Sequence, residues 1–180
     1  GSITVAMTSS TVVGNITGKP AAGRIEISGA TGAGGARESI RNAEHATKVG
    51  VDMSHTLGLP CTDADDSWQP EQFERPFQIA ENTYSFAPEE IAELRAMFCA
   101  GLMLAEELHD FIRRTKSASG AGRAFDFELD LAGTGAPVSP KQLLFCLYWM
   151  KMRGRAVQMI APPLSAATLP EAAAVARFFN

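Results

Sequence analysis

The 180-residue chain has no run of 18 apolar residues, so it holds no ordinary membrane-spanning helix. A charged stretch leading into an apolar one is missing at its start, and no signal peptide is expected. Basic charge is also scarce. Sixteen Lys and Arg stand against 20 Asp and Glu, for a net charge of −4, which gives no electrostatic footprint for nucleic acid. The longest basic cluster, Arg113-Arg114-Thr115-Lys116, reads as the charged end of a helix. Only three cysteines occur, Cys61, Cys99 and Cys146, an odd and widely spaced set that argues against a disulfide framework. Cys99 and Cys146 fall in apolar helical patterns, so buried thiols in a reducing, cytoplasmic setting are expected. His45, His55 and His109 show neither HxH nor HxxxH spacing, and no internal repeat is visible.

What is present suits one globular α/β domain. Apolar residues make up 46% and charged residues 20%, ordinary values for a chain with a real core. Gly1-Ser2 reads as a cleavage scar, and a fragment of a longer protein is expected from it. Thr- and Val-rich residues 3–13 read as one or two strands, and Arg24 to Ser28 as another. The Gly-rich stretch 29–35 follows, then a helix from Ala36 to Lys48 and a short strand from Val51 to Ser54. Residues 56–86, with four prolines or glycines and Asp63, Asp65 and Asp66, read as a long surface loop with one helical turn near Glu71–Glu74. The acidic run lacks the alternating ligands, Gly and terminal Glu of a calcium loop.

Pro88 opens the longest helix, 88–114, whose stripe of Ile91, Leu94, Phe98, Leu102, Ala105, Leu108 and Ile112 has helical spacing. Residues 125–131 then alternate strictly and predict a strand. Ser139, Pro140 and Gln142 form the start of a capped helix, Gly154 ends it, and Ala156 to Ile160 supplies the next strand. Such a strand–helix–strand unit pairs in parallel. A final Ala-rich helix spans Pro170 to Phe179.

Three constellations can carry chemistry. On strand 125–131, Phe125, Phe127, Leu129 and Leu131 share one face, and Asp126, Glu128 and Asp130 the other. Parallel strands are normally apolar on both faces, so three carboxylates point to a polar interior, a divalent cation or sugar hydroxyls; an acidic edge strand facing solvent is the plain alternative. Glu128 and Asp130 are the candidate catalytic and metal-binding residues, and Thr134 adds a hydroxyl at the strand's carboxyl end. Gly29-x-x-Gly32-x-x-Gly35, with Asp52 about 20 residues on, has the spacing of a dinucleotide-binding turn, although its preceding strand is short. His55, at the end of a strand, is a third candidate metal ligand.

The sequence Phe125-Asp126-Phe127-Glu128, then Pro137-Val138-Ser139-Pro140, Phe145, Arg153-Gly154 and the strand from Val157 to Ala161 resemble the tagaturonate epimerase family. The similarity covers roughly residues 88–165. It implies a barrel-like, metal-dependent sugar-acid epimerase. In that chemistry a base removes a proton next to a carbonyl, an acid returns it, and a divalent metal ion stabilises the enolate. Glu128 and Asp130 would be the catalytic carboxylates, Thr134 and Ser139 substrate-binding hydroxyls, and Glu128, Asp130 and His55 the metal ligands. One departure stands out: an Asp-Glu pair follows the strand in the family, and Ala132 and Gly133 stand there in this chain.

The expected fold is α/β, built of βαβ units into a partial TIM-barrel-like parallel sheet. A whole eight-stranded barrel takes about 250 residues, so at this length the sheet is open or the chain truncated. The expected partner is a small-molecule sugar acid, with no nucleic acid, no membrane, and a homo-oligomer left open. Two rivals stand beside this reading: a Rossmann-type nucleotide binder using Gly29–Gly35, and a non-catalytic homologue that binds sugars or a partner protein.

Overall fold

A computed structural model describes residues 4–5, 24–28, 48–61, 68–118, 125–131 and 136–179. Among them are seven strands, β1 (Thr4–Val5), β2 (Arg24–Ser28), β3 (Lys48–Asp52), β4 (Phe77–Ile79), β5 (Asn82–Tyr84), β6 (Asp126–Asp130) and β7 (Met159–Ala161). Three helices accompany them, α1 (Pro88–Ala118), α2 (Pro140–Met152) and α3 (Leu169–Phe178). No described helix is long and apolar enough to cross a membrane.

Five strands form one parallel sheet in the order β2-β3-β6-β7-β1, while β4 and β5 make a separate antiparallel hairpin. The expected unit is there: β6 and β7 are neighbours in parallel register, with Glu128 opposite Met159 and Asp130 opposite Ala161. Between them α2 starts on a complete capping box. Ser139 Oγ accepts from Gln142 N at 3.2 Å, and the Gln142 side chain accepts from Ser139 N at 2.8 Å. Every residue of α2 from Leu143 to Met150 is buried, because α1 and α3 both pack against it.

The period-two pattern sorts the sheet into two faces. Val49, Val51, Phe127, Leu129 and Ile160 are at most 2% exposed and join α1 and α2 in one buried cluster. His109 of α1 meets the Phe127 ring at 5.2 Å, which places α1 on this apolar face. Lys48, Gly50 and Asp52 alternate with β3's apolar residues, as Asp126, Glu128 and Asp130 do on β6. Strand β6 lies inside the sheet rather than at its edge, and Glu128 and Asp130 are 0% and 1% exposed. The solvated edge-strand explanation of these acids is therefore excluded.

Several expectations are corrected. Lys48 belongs to β3 rather than to the end of a helix, and α1 continues to Ala118 rather than stopping at residue 114. Residues 56–86, expected as a long loop with one helical turn near Glu71–Glu74, do have such a turn, a 3-10 helix at Pro70–Gln72, but also hold the β4–β5 hairpin. Aromatic burial holds this segment down: Phe73, Phe77 and Phe86 are at most 5% exposed, and Phe73 and Phe77 both meet the Tyr148 ring of α2. Cys61 and Cys99 are joined in a disulfide with Cα atoms 5.6 Å apart, while Cys146 is the buried free thiol foreseen. Their separation of 38 residues hides the contact, which arises because the chain after β3 folds back along α1.

Candidate functional site

The site starts from two neighbouring strands with the same pattern. Lys48-Val49-Gly50-Val51-Asp52 and Asp126-Phe127-Glu128-Leu129-Asp130 run side by side in register. Asp52 therefore stands directly beside Asp130 at the carboxyl ends of β3 and β6, strands about 5 Å apart. That end of a parallel sheet is where α/β proteins bind ligands. Two backbone bonds fix the strand ends: Met53 N donates to Asp130 O at 2.9 Å, and Leu131 N to Ala161 O at 3.0 Å.

Asp52 also shapes the turn that follows. Its Oδ1 accepts from Ser54 N at 2.8 Å, and Thr56 donates its hydroxyl to Met53 O at 2.7 Å. These bonds bend the chain sharply into the 3-10 turn Ser54–Thr56. A glycine on α1 admits the turn: a Cβ at Gly101 would sit 2.7 Å from Met53 Cε and closer still to the Thr56 hydroxyl.

The polar face thus divides in two. Toward the amino end, Lys48 Nζ lies 2.7 Å from Glu128 Oε2, a fully buried carboxylate. Toward the carboxyl end lie the two aspartates, both at most 7% exposed. Like charges on adjacent strand positions repel, so this pair suits a cation, a proton or ligand hydroxyls.

The predicted site residues scatter in an informative way. Asp130 sits in the site, and Glu128 two residues below it is held by Lys48. His55 is exposed on the 3-10 turn, and Ser139 caps α2. Thr134, Ala132, Gly133 and the stretch 29–35 lie outside the described residues. Among the described residues, no three of His, Cys, Asp and Glu form a group that would hold a metal. Asp52 enters the site as the register partner of Asp130. Its signal in the sequence is the alternation of residues 48–52, the same as that of 126–130.

Strand order separates the barrel from the dinucleotide fold. A doubly wound sheet puts its fourth strand on the far side of its first, and the ligand sits at that reversal. Here, among the described residues, β2, β3, β6 and β7 follow one another in chain order, with β2 at one edge and the two-residue β1 beside β7 at the other. Sequential order belongs to barrel-type sheets.

No family model matches the sequence, and no curated protein matches it. Solved structures do. The native crystal structure of fructuronate-tagaturonate epimerase UxaE from Cohnella laeviribosi is 15% identical, with a TM-score of 0.60 over 81% of this chain and 35% of that one. Its complex with one glycerol gives 16% identity and a TM-score of 0.61 over 79% of this chain, and its complex with two glycerols 17% and 0.59 over 78%. The chain spans 35% of the length of these enzymes, and at such identity what it shares with them is the fold: a partial, barrel-like α/β unit.

Proposed function

We propose that this chain carries part of a sugar-acid isomerase or epimerase site, in which Asp52 and Asp130 act on the carbon next to the carbonyl of a hexuronate. The observation that carries this reading is the pairing of the two aspartates at the carboxyl ends of adjacent parallel strands. The fold shared with a fructuronate-tagaturonate epimerase supports it. One carboxylate takes the proton from the carbon, leaving an enolate, and a protonated carboxyl returns it; return to the opposite face inverts that centre. Glu128 stays out of the proton transfer, since Lys48 holds it.

A divalent cation fits the donor chemistry of the pair. Magnesium-type ions take one or two carboxylates and fill their remaining positions with water and substrate oxygens. Asp52 and Asp130 would hold it, and when bound it would polarise the substrate carbonyl.

The test is proton exchange in heavy water. Fructuronate and tagaturonate are each incubated with the protein and magnesium or manganese, and deuterium entering the carbon beside the carbonyl is followed by NMR. Incorporation by the parent, lost in Asp130→Asn, supports the reading. Absence of exchange with every substrate and metal overturns it. Saturable binding without exchange would instead favour the non-catalytic sugar binder, consistent with Ala132 and Gly133 standing where the resembled family carries acids.

A further inference from the structure

Three sulfur atoms meet where the chain after β3 folds back along α1. Cys99 and Met103 stand one helical turn apart on α1, at i and i+4, and so side by side on its surface. Cys61 comes from the returning segment, which Gly58 N holds to the helix by donating to Met97 O at 2.9 Å. Its sulfur is bonded to that of Cys99 and lies 3.4 Å from Met103 Sδ. A methionine often does no more than fill a gap in a core. Here its thioether is set against the two sulfurs that reduction turns into thiols, at a place with one side toward solvent. Cys99 is fully buried, but Cys61 and Met103 are only half-buried, and Cys61 borders a cavity of about 640 Å³.

We propose that, once the Cys61–Cys99 bond is reduced, the two thiolates and the Met103 thioether bind one Cu(I) ion. Thiolate and thioether donors are soft and select Cu(I), whereas magnesium, calcium and manganese take oxygen. The site is thus distinct in chemistry from the aspartate pair, which offers only oxygens. Metal–thiolate bonds run about 2.3 Å, so three sulfurs around one ion stand about 4 Å apart. Met103 Sδ is already 3.4 Å from Cys61 Sγ, and Cα atoms 5.6 Å apart let the two cysteine sulfurs separate to that spacing by side-chain rotation. Two of the three ligands are carried by one helix, which fixes their spacing before the ion arrives.

Loading takes two steps. A dithiol reductant supplies two electrons: its thiolate attacks Cys61 Sγ, the sulfur that borders the cavity, and expels Cys99 as a thiolate that takes up a proton. The reductant's second thiol then releases Cys61 as a thiol and departs as a cyclic disulfide. Cu(I) next displaces both thiol protons to solvent. Disulfide and copper are alternative states of one site.

The experiment reduces the full chain with dithiothreitol, removes the reductant anaerobically, and titrates Cu(I) in competition with bicinchoninate, beside the same protein left oxidised. One tightly held ion per reduced chain is expected, and none on the oxidised chain. Met103→Leu should weaken binding about tenfold or more, the usual effect of disturbing the groups around a metal. Cys61→Ser should abolish it, and Cys146→Ser, which replaces the buried free thiol of α2, should leave it unchanged. X-ray absorption at the copper edge should show three sulfur neighbours. The proposal is overturned by a reduced parent that yields all its copper to the chelator, by equal retention on the oxidised chain, or by Met103→Leu binding like the parent. Loss of binding in Cys146→Ser overturns it as well, and so does a Cys61–Cys99 bond that dithiothreitol fails to open. Should Cys61→Ser fold poorly, the absorption spectrum of the parent decides: fewer than three sulfur neighbours sinks the idea.

Discussion

Lys48 reaches diagonally across two parallel strands to put its ammonium 2.7 Å from the Glu128 carboxylate, one pleat along from its register partner Asp126. The lysine side chain keeps 21% exposure and the glutamate none, so the pair is anchored from the solvent side. Removing the lysine leaves a buried carboxylate short of its cation. Lys48→Met is expected to cost about 3 kcal/mol, the low end for breaking a buried pair because Glu128 makes further interactions. Lys48→Met combined with Glu128→Leu should recover much of that loss. Denaturant midpoints of the single and double variants measure both effects.

The aspartate pair predicts a different signature. Asp52→Asn and Asp130→Asn should each lower proton exchange into a hexuronate by about a hundredfold or more, the usual weight of a positioned acid or base. Asp52→Asn keeps the side-chain oxygen that accepts from Ser54 N and relieves repulsion from Asp130, so its effect on stability should be small. Exchange rates in heavy water, set beside thermal melts of the same variants, separate a working residue from a structural one.

Much of the fold was legible because local signals agreed with it. Strict alternation over 125–131 marked β6, and Ser139, Pro140 and Gln142 marked the start of α2 within a residue. The hairpin at 77–84 was not, since strands of three residues beside Pro76 carry almost no periodic signal; Phe73, Phe77 and Tyr148 fix it through contacts distant in sequence. Asp130 was visible from one strand alone. Asp52 needed the register of β3 against β6, which no single stretch of sequence contains.

The Cys61–Cys99 disulfide should add measurable stability. Closing a loop between residues 38 apart restricts the unfolded chain by about 4 kcal/mol on the loop-entropy model, with measured values commonly about 2–4. Cys61→Ser combined with Cys99→Ser, or a reductant added to the parent, should lower the urea midpoint accordingly. A reductant that leaves the midpoint unmoved would show that the thiols are not joined in solution.

His109 gives the fold a dependence on mild acid. Burial pushes its pKa below the ordinary 6.5, with the nearby Arg155 and Arg113 charges adding to the shift and Asp110 opposing it. The folded protein therefore keeps His109 neutral where the unfolded chain already binds a proton. Stability is full above pH 6.5 and falls as the pH drops from there to the depressed value, by at most about 1.4 kcal/mol per pH unit. Asp110, held below 3.8 because its hydrogen bond and attraction to Arg155 outweigh burial, acts in a separate, more acidic window. His109→Gln should flatten the slope between pH 6.5 and 5 and leave the acid limb of Asp110 in place. Urea unfolding across that range measures it.

Gly101 offers a test of the joint between the site and α1. In an exposed helix, alanine is better than glycine by about 1 kcal/mol, so Gly101→Ala is favoured by backbone entropy alone. Here the new methyl would stand 2.7 Å from Met53 Cε and closer to the Thr56 hydroxyl. Met53 is fully buried, so its terminal methyl has little room to swing away. Thr56 is held by its own bond to Met53 O, and moving it would break the turn that follows Asp52. Overpacking of this kind typically costs about 1–3 kcal/mol, which exceeds the propensity gain. The expected outcome is a net loss of about 1 kcal/mol, together with weaker proton exchange as the turn shifts Asp52 relative to Asp130. Gly101→Ala paired with Thr56→Ala, which removes the hydroxyl the new methyl would meet, should recover part of the stability loss, at the cost of the bond to Met53 O. Melting curves and exchange rates for the single and the pair check the two effects together.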